Sequence, residues 1–414
     1  MNKLLSASLI YTSTNIINRL LPFLLLPFLT SVLNKHEYGI ISMTEVFINI
    51  MLPIISLNAF GAISRKYYDK INDFGSYIYT SIILNIFMFI FFSIIFLVFS
   101  RLFTKLLGFE LKWIVVCLLI VFLKSIFQTH LTLLQITNKP MTYGILQILN
   151  TIINFALTIY LILNLNFRWD GRLISQIIGF SIFAIFSWYV LNKKYSLRNY
   201  QKEYAKDIMS FGVPLIPHSL GGMLITMSDR IIITSMVGLA ATGVYAVGTQ
   251  IGMIIWMVQD AFNKAWIPFL FSKLKNPSKV NNLMIVKITY IYIIVILMLT
   301  LLLYLSSNMI VDIFIDSKYK DATQYIGLIG LGYAFNGIYK MVSGPLFYFR
   351  KTYILSYVTA ITAILNIILC ILFIKLFGTI GAAISTCLSF FIGMVVVWYF
   401  SNREYKLPWN LRGE

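Results

Sequence analysis

The chain has 414 residues, of which 59% are hydrophobic and only 12% charged. Soluble domains carry roughly 25% charged residues, so this composition excludes a soluble enzyme and a disordered tail. A spanning helix needs roughly 20 apolar residues, and twelve such helices would use about 240 positions, close to the hydrophobic content. The 33 Lys and Arg against 15 Asp and Glu give a net charge of +18. Because these bases fall mostly between apolar blocks, the excess reads as membrane topology rather than nucleic-acid binding.

In chain order the apolar blocks are 9–33, 40–63, 77–99, 114–136, 143–163, 172–191, 208–236, 243–268, 284–305, 322–346, 353–376 and 380–400. They are continuously apolar, not alternating, which excludes a membrane β-barrel. The first block is too long for a signal h-region and reads as the first span. Cys117, Cys370 and Cys387 all fall inside apolar runs without a CxxC pair, so no disulfide framework or metal site is implied. With the N-terminus cytoplasmic, the inside connections hold 18 basic residues and the outside ones 8. That bias places both termini in the cytoplasm.

The longest connection, 192–207, divides the chain into six-block halves, 1–200 and 201–414. The halves resemble each other. Thr30-Ser31-Val32 before Gly39 matches Thr234-Ser235-Met236 before Gly243. Lys139 and Asn154 match Lys351 and Asn366, and Gly171, Ile174 and Ser175 match Gly381, Ile384 and Ser385. These spacings are close to one another and in order, as expected of a duplicated unit of even span number. Two packed halves with a cleft between them is a transporter plan. Pro22 and Pro27 in the first block and Pro214 and Pro217 in the seventh are candidate bending points. Static kinks are the alternative for each.

Arg19, Lys124, Arg230, Lys264 and Lys340 lie inside the apolar blocks. Each costs ~2.5–3.5 kcal/mol at the bilayer centre. Five facing lipid would cost about 12–18 kcal/mol, which rivals the roughly 5–15 kcal/mol stability of a typical domain. They should therefore face counter-ions or a wet interior. Lys287 and Lys375 sit nearer span ends and can snorkel. The embedded acids are Glu45, Asp229 and Asp260. Asp260 and Lys264 are i, i+4 and can pair directly. Asp229 and Arg230 are adjacent, point about 100° apart, and need partners on other helices. About two cations stay uncompensated, which suits an anionic ligand. Helix-to-helix ties are the other reading of these cations. Glu45, Asp229, Asp260, His130 and His218 are the groups able to carry a coupling proton, or to serve a sodium gradient. No other cofactor is implied.

Trp113, Trp169, Trp398 and Trp409 lie near span ends, as an interfacial belt does. Tyr245, Trp256 and Tyr339 lie within spans, where packing and stacking on sugar faces are both open. The sequence has no P-loop, GxSxG or HExxH motif, and no connection long enough for an exposed catalytic domain, which disfavours an enzyme.

The segment Phe211-Gly212-Val213-Pro214-Leu215-Ile216-Pro217-His218-Ser219-Leu220, followed by Asp229-Arg230, resembles the central signature of the polysaccharide biosynthesis flippase family. That family belongs to the superfamily of multidrug, oligosaccharidyl-lipid and polysaccharide exporters. Arg65-Lys66-Tyr67-Tyr68, Asn138-Lys139, Arg350-Lys351-Thr352 and Ala265-Trp266-Ile267-Pro268 agree with the resemblance, which covers nearly the whole chain. It implies an all-α polytopic membrane protein of about 12 transmembrane helices in two pseudo-symmetric six-helix bundles forming a V-shaped central cavity. It also implies alternating access, and transfer of an undecaprenyl-pyrophosphate-linked oligosaccharide repeat unit, of O-antigen or capsule, from the inner to the outer leaflet of a bacterial inner membrane. Glycan polymerase and chain-length machinery are the implied protein partners. Peptidoglycan-precursor flippases usually have fourteen helices, two more than the count here. The rivals are a multidrug exporter of the same superfamily and a membrane-embedded glycan polymerase or ligase.

Overall fold

A computed structural model describes residues 2–69 and 73–410, with the side chains of residues 2–9, 11, 12, 15, 16, 19, 21, 22 and 218 outside the described set. Arg19, Pro22 and His218 therefore lie outside the described residues as side chains. Every element among the described residues is helical. The chain divides into two compact units, Met1–Met223 and Leu224–Glu414.

The first unit contains α1 (Asn2–Val32), α2 (Lys35–Ile55), α3 (Ala59–Tyr68), α4 (Phe74–Val98), α5 (Ser100–Leu107), α6 (Leu111–Ile136), α7 (Pro140–Asn164), α8 (Trp169–Tyr195) and α9 (Lys202–Gly212). The boundary falls inside α10 (Leu215–Met236). The second unit continues with α11 (Leu239–Lys275), α12 (Lys279–Phe314), a 3₁₀ turn at Ser317–Ala322, α13 (Thr323–Tyr348), α14 (Thr352–Phe377) and α15 (Ile380–Glu404). A helix thus stands over each of the twelve apolar blocks. Among the described residues nine helices are long and apolar enough to cross a membrane, and the broken pair α9–α10 makes ten. α13 has 26 residues, or about 39 Å of rise, enough to cross a hydrocarbon core. Its Gly, Tyr, Asn and Lys dilute its apolarity.

The helices bury one face and leave the other apolar. Phe87, Ile90, Phe91 and Ile94 of α4 are exposed, as are Ile291, Ile294, Met298 and Leu301 of α12. Contiguous apolar faces of this extent are not stable against water. Against acyl chains they carry no cost. α11 and α12, with 37 and 36 residues, rise about 55 Å each and so run past the bilayer, α11 ending in Lys273 and Lys275.

Block two, 40–63, does not form one helix. Pro53 lies in the last turns of α2, and Leu57 and Asn58 take left-handed backbone conformations (φ 50° and 47°) before α3 starts. The charged connection after block six is also not simply a loop. It folds as the amphipathic α9, which docks on α3 and α4. Arg65 of α3 donates to both Asp207 oxygens of α9 at 2.6 Å, and the Tyr77 hydroxyl donates to the same carboxylate at 2.7 Å. The hydrogen bond to Asp207 raises the Arg65 pKa above its ordinary value. A Cβ at Gly212 would overlap the Leu57 carbonyl, so only glycine permits this approach of α9 to the α2–α3 corner. Pro214 then ends α9, because it has no N–H to give and its ring clashes with the preceding turn.

The internal matches recur at equivalent places. Asn154 on α7 and Asn366 on α14 are both buried, as are Ser175 on α8 and Ser385 on α15.

Candidate functional site

In the first unit, α2 packs on α6 and α8. The start of α2 is fixed by a capping box in which the Asn34 side chain accepts from the Glu37 N–H and Glu37 accepts from the Asn34 N–H, each at 2.9 Å. Arg168, just before α8, closes on the same Glu37 carboxylate, whose hydrogen bond and charge raise the Arg168 pKa. Two turns deeper along α2, Glu45 meets the next cation. Arg172 Nη2 stands 3.5 Å from Glu45 Oε1, and the Gln176 amide donates to the same oxygen at 2.7 Å. Arg172 and Gln176 are i, i+4, so they share one face of α8. Arg172 also donates to the Thr158 hydroxyl of α7 at 3.3 Å.

Lys124 on α6 lies within the electrostatic reach of both Glu45 and Arg172, with its Nζ 6.0 Å from the centre of the Phe180 ring. Glu45 therefore pairs with Arg172 and exerts a longer-range pull on Lys124. His130 is buried with Nδ1 3.0 Å from the Ser187 hydroxyl and its ring 6.1 Å from that of Phe186. That is the arrangement of a hydrogen-bonded packing residue on the α6–α8 interface.

The second unit holds two further charge groups. Asp229 on α10 is buried; its carboxylate accepts from the Tyr245 hydroxyl of α11 and from the Arg230 backbone N–H at 2.8 Å. The buried Nε of Arg230 has no hydrogen-bond partner among the described residues. Beside Asp229, Ser228 donates to Asn366 at 3.2 Å, and Asn366 donates to Thr386 at 3.4 Å, tying α10, α14 and α15 together. On α11, Asp260 takes Lys264 at 3.3 Å and, from α13, Lys340 at 3.8 Å. Lys340 has no acid near it in sequence, and the fold supplies one from 80 positions away. Here two cations share one carboxylate. The neighbouring Gln259 donates to Asn336 at 3.1 Å, so α11 and α13 meet along a polar seam.

Arg172 and Gln176 were not legible as site residues in the sequence. Arg172 sits at a span edge, where a base reads as a topology signal, and only its i, i+4 partner Gln176 pointed to a polar stripe. Of the tyrosines within spans, Tyr245 is fully buried as a ligand of Asp229, not an open stacking surface. Embedded guanidinium and ammonium groups in excess over carboxylates can hold phosphate oxygens, Arg in a bidentate fork and Lys as a point charge.

A sequence model of the family described as "Polysaccharide biosynthesis protein" matches residues 4–275. A protein of the Lsg locus of Haemophilus influenzae is 24% identical over 383 residues, covering 88% of this chain and 90% of the relative. A second membrane protein of that organism is 28% identical over 386 residues, covering 87% and 88%. Among solved structures, an inward-facing multidrug resistance MATE family transporter of the MOP superfamily superposes with a TM-score of 0.74 at 14% identity, covering 95% of this chain and 94% of its own. The lipid II flippase MurJ in an inward closed conformation gives 0.73 at 16% identity, covering 95% and 87%. The chain belongs to the polysaccharide biosynthesis protein family, as a multi-pass membrane protein whose fold is shared with a MATE transporter and with MurJ.

Proposed function

We propose that this protein moves an undecaprenyl-pyrophosphate-linked oligosaccharide repeat unit, of O-antigen or capsule, from the inner to the outer leaflet of a bacterial inner membrane by alternating access. Lys124, Arg230, Lys264, Lys340 and Arg19 hold the pyrophosphate or acidic sugars, and Arg172 joins them. The observation that carries this reading is that embedded cations outnumber carboxylates in each unit separately: Lys124 and Arg172 around Glu45, Lys264 and Lys340 around Asp260. Membership of a polysaccharide biosynthesis family supports a glycan as the cargo. Both termini lie in the cytoplasm, by the distribution of basic connections. Glu45, Asp229 and Asp260 are the acids placed to answer a proton or sodium gradient, and His130 and His218 are the histidine candidates. A glycan polymerase and its chain-length partner would take up the product.

The test is made in cells. Lys124→Ala and Arg19→Ala, at normal membrane level, are expected to lower surface glycan about tenfold and to leave lipid-linked repeat units inaccessible from outside. Normal surface glycan in both variants contradicts the reading. A multidrug exporter predicts changed drug resistance with unchanged glycan, and a polymerase predicts changed chain length with unchanged leaflet.

A further inference from the structure

A groove of ≈ 490 Å³ runs between α14 and α15 on the outer, apolar face of the second unit. Its walls are aliphatic: Ile354, Val358, Ile361 and Leu365 from α14, Ile392 and Val396 from α15. Ile354 and Val358 belong to a packed core cluster with Leu346 and Val397, so the floor is built rather than improvised by loose side chains. Partway along it α14 and α15 come close at Gly393 and Thr362, where a Cβ on Gly393 would stand 3.3 Å from the Thr362 hydroxyl. From Leu365 to Tyr353 the α14 side rises about 18 Å. One leaflet of hydrocarbon is about 15 Å deep. The groove therefore spans one leaflet and stops.

Its other end is polar and basic. Arg403 and Glu404 line it, with Tyr353 and Tyr357 exposed beside them. Glu404 is taken by Lys351 at 3.6 Å. Arg403 is exposed and makes no ion pair among the described residues. Arg350 precedes Lys351 at the same end of α14. Tyrosines at this depth mark the headgroup level, and a guanidinium there meets phosphate. An acyl-length apolar trench that ends on an unanswered guanidinium at headgroup depth fits one ligand chemistry.

We propose that the α14–α15 groove is a binding site for an anionic glycerophospholipid, with one acyl chain lying along Ile361 and Val396 and the phosphate on Arg403. Such a lipid clamps the last two helices of the second unit from the membrane side. The site is distinct from the embedded charges around Asp260 and does not depend on what the protein transports.

The test uses the full-length protein in mild detergent, titrated with phosphatidylglycerol or phosphatidylcholine of the same chains and read by native mass spectrometry. Phosphatidylglycerol is expected to bind about fivefold more tightly than phosphatidylcholine, the factor expected of one basic residue at an anionic headgroup. Arg403→Gln should remove that preference. Ile361→Trp, which fills the groove from an exposed wall, should lower binding of phosphatidylglycerol about fivefold without touching the core. Arg101→Gln, an exposed base of the first unit that does not line the groove, should leave both unchanged. Equal binding of the two lipids overturns the proposal, as does wild-type binding by both Arg403→Gln and Ile361→Trp. Displacement of phosphatidylglycerol by a long-chain polyprenyl phosphate at equal concentration also overturns it, by giving the groove to another lipid class.

Discussion

Replacing Glu45 by Gln tests whether the first unit's cations are held by one carboxylate. The substitution keeps the shape and leaves a partner for the Gln176 amide, but removes the negative charge that pairs with Arg172 and attracts Lys124. Removing one member of a fully buried pair costs about 3–5 kcal/mol, and an exposed pair is worth about 0–1 kcal/mol. The Arg172 side chain is 15% exposed and that of Glu45 34%, with 3.5 Å between them, which sets the cost between those limits. We expect a loss of about 1–3 kcal/mol, discounted from the buried value for the partial exposure of Glu45. For a unit of this size each kcal/mol lowers the melting temperature by roughly 2–4 °C. Purified Glu45→Gln should therefore unfold at a lower temperature in a thermal scan, by several degrees. Glu45→Gln with Arg172→Gln should recover part of the loss, because the stranded guanidinium is gone. A Glu45→Gln protein that melts with the wild type refutes the reasoning. So does a double variant whose loss is the sum of the two singles.

The Asp260 group should behave unequally. Asp260→Asn strands two lysines and is expected to lower the melting temperature more than either Lys264→Gln or Lys340→Gln, since each single lysine change leaves the carboxylate one partner; matched thermal scans of the three variants check this order. Tyr245→Phe removes a donor to a fully buried carboxylate, and the unmet acceptor should cost about 1–3 kcal/mol. Chemical unfolding in detergent reads that loss, and an unchanged midpoint contradicts the role given to Tyr245.

The helices were legible because a chain that must satisfy its backbone in lipid has few options, and an apolar block of twenty residues states one of them. The break at Leu57–Asn58 was hidden because 40–63 stays apolar through it; a left-handed turn at two non-glycine residues leaves no mark in hydropathy. α9 was hidden for the opposite reason. Its charges read as a cytoplasmic connection, although Asp207 is there to take Arg65 and Tyr77. The pair Asp260–Lys264 was readable from its i, i+4 spacing, and the structure bears it out. Lys340 was not, because its distance from Asp260 along the chain carries no periodic signal. The same holds for Arg172 and Glu45, brought together by the packing of α8 on α2.

Transfer of the cargo by the purified protein tests the central claim most directly. In proteoliposomes loaded with a labelled undecaprenyl-pyrophosphate-linked oligosaccharide, the label should become accessible to an added glycosidase beyond the half already outside, only when the protein is present. Lys124→Ala and Arg230→Ala should slow that transfer about tenfold, while a neutral lipid-linked glycan should not be moved. Equal transfer of the charged and neutral lipids, or no transfer by the wild type under an imposed proton or sodium gradient, would contradict a cationic path for an anionic lipid-linked glycan.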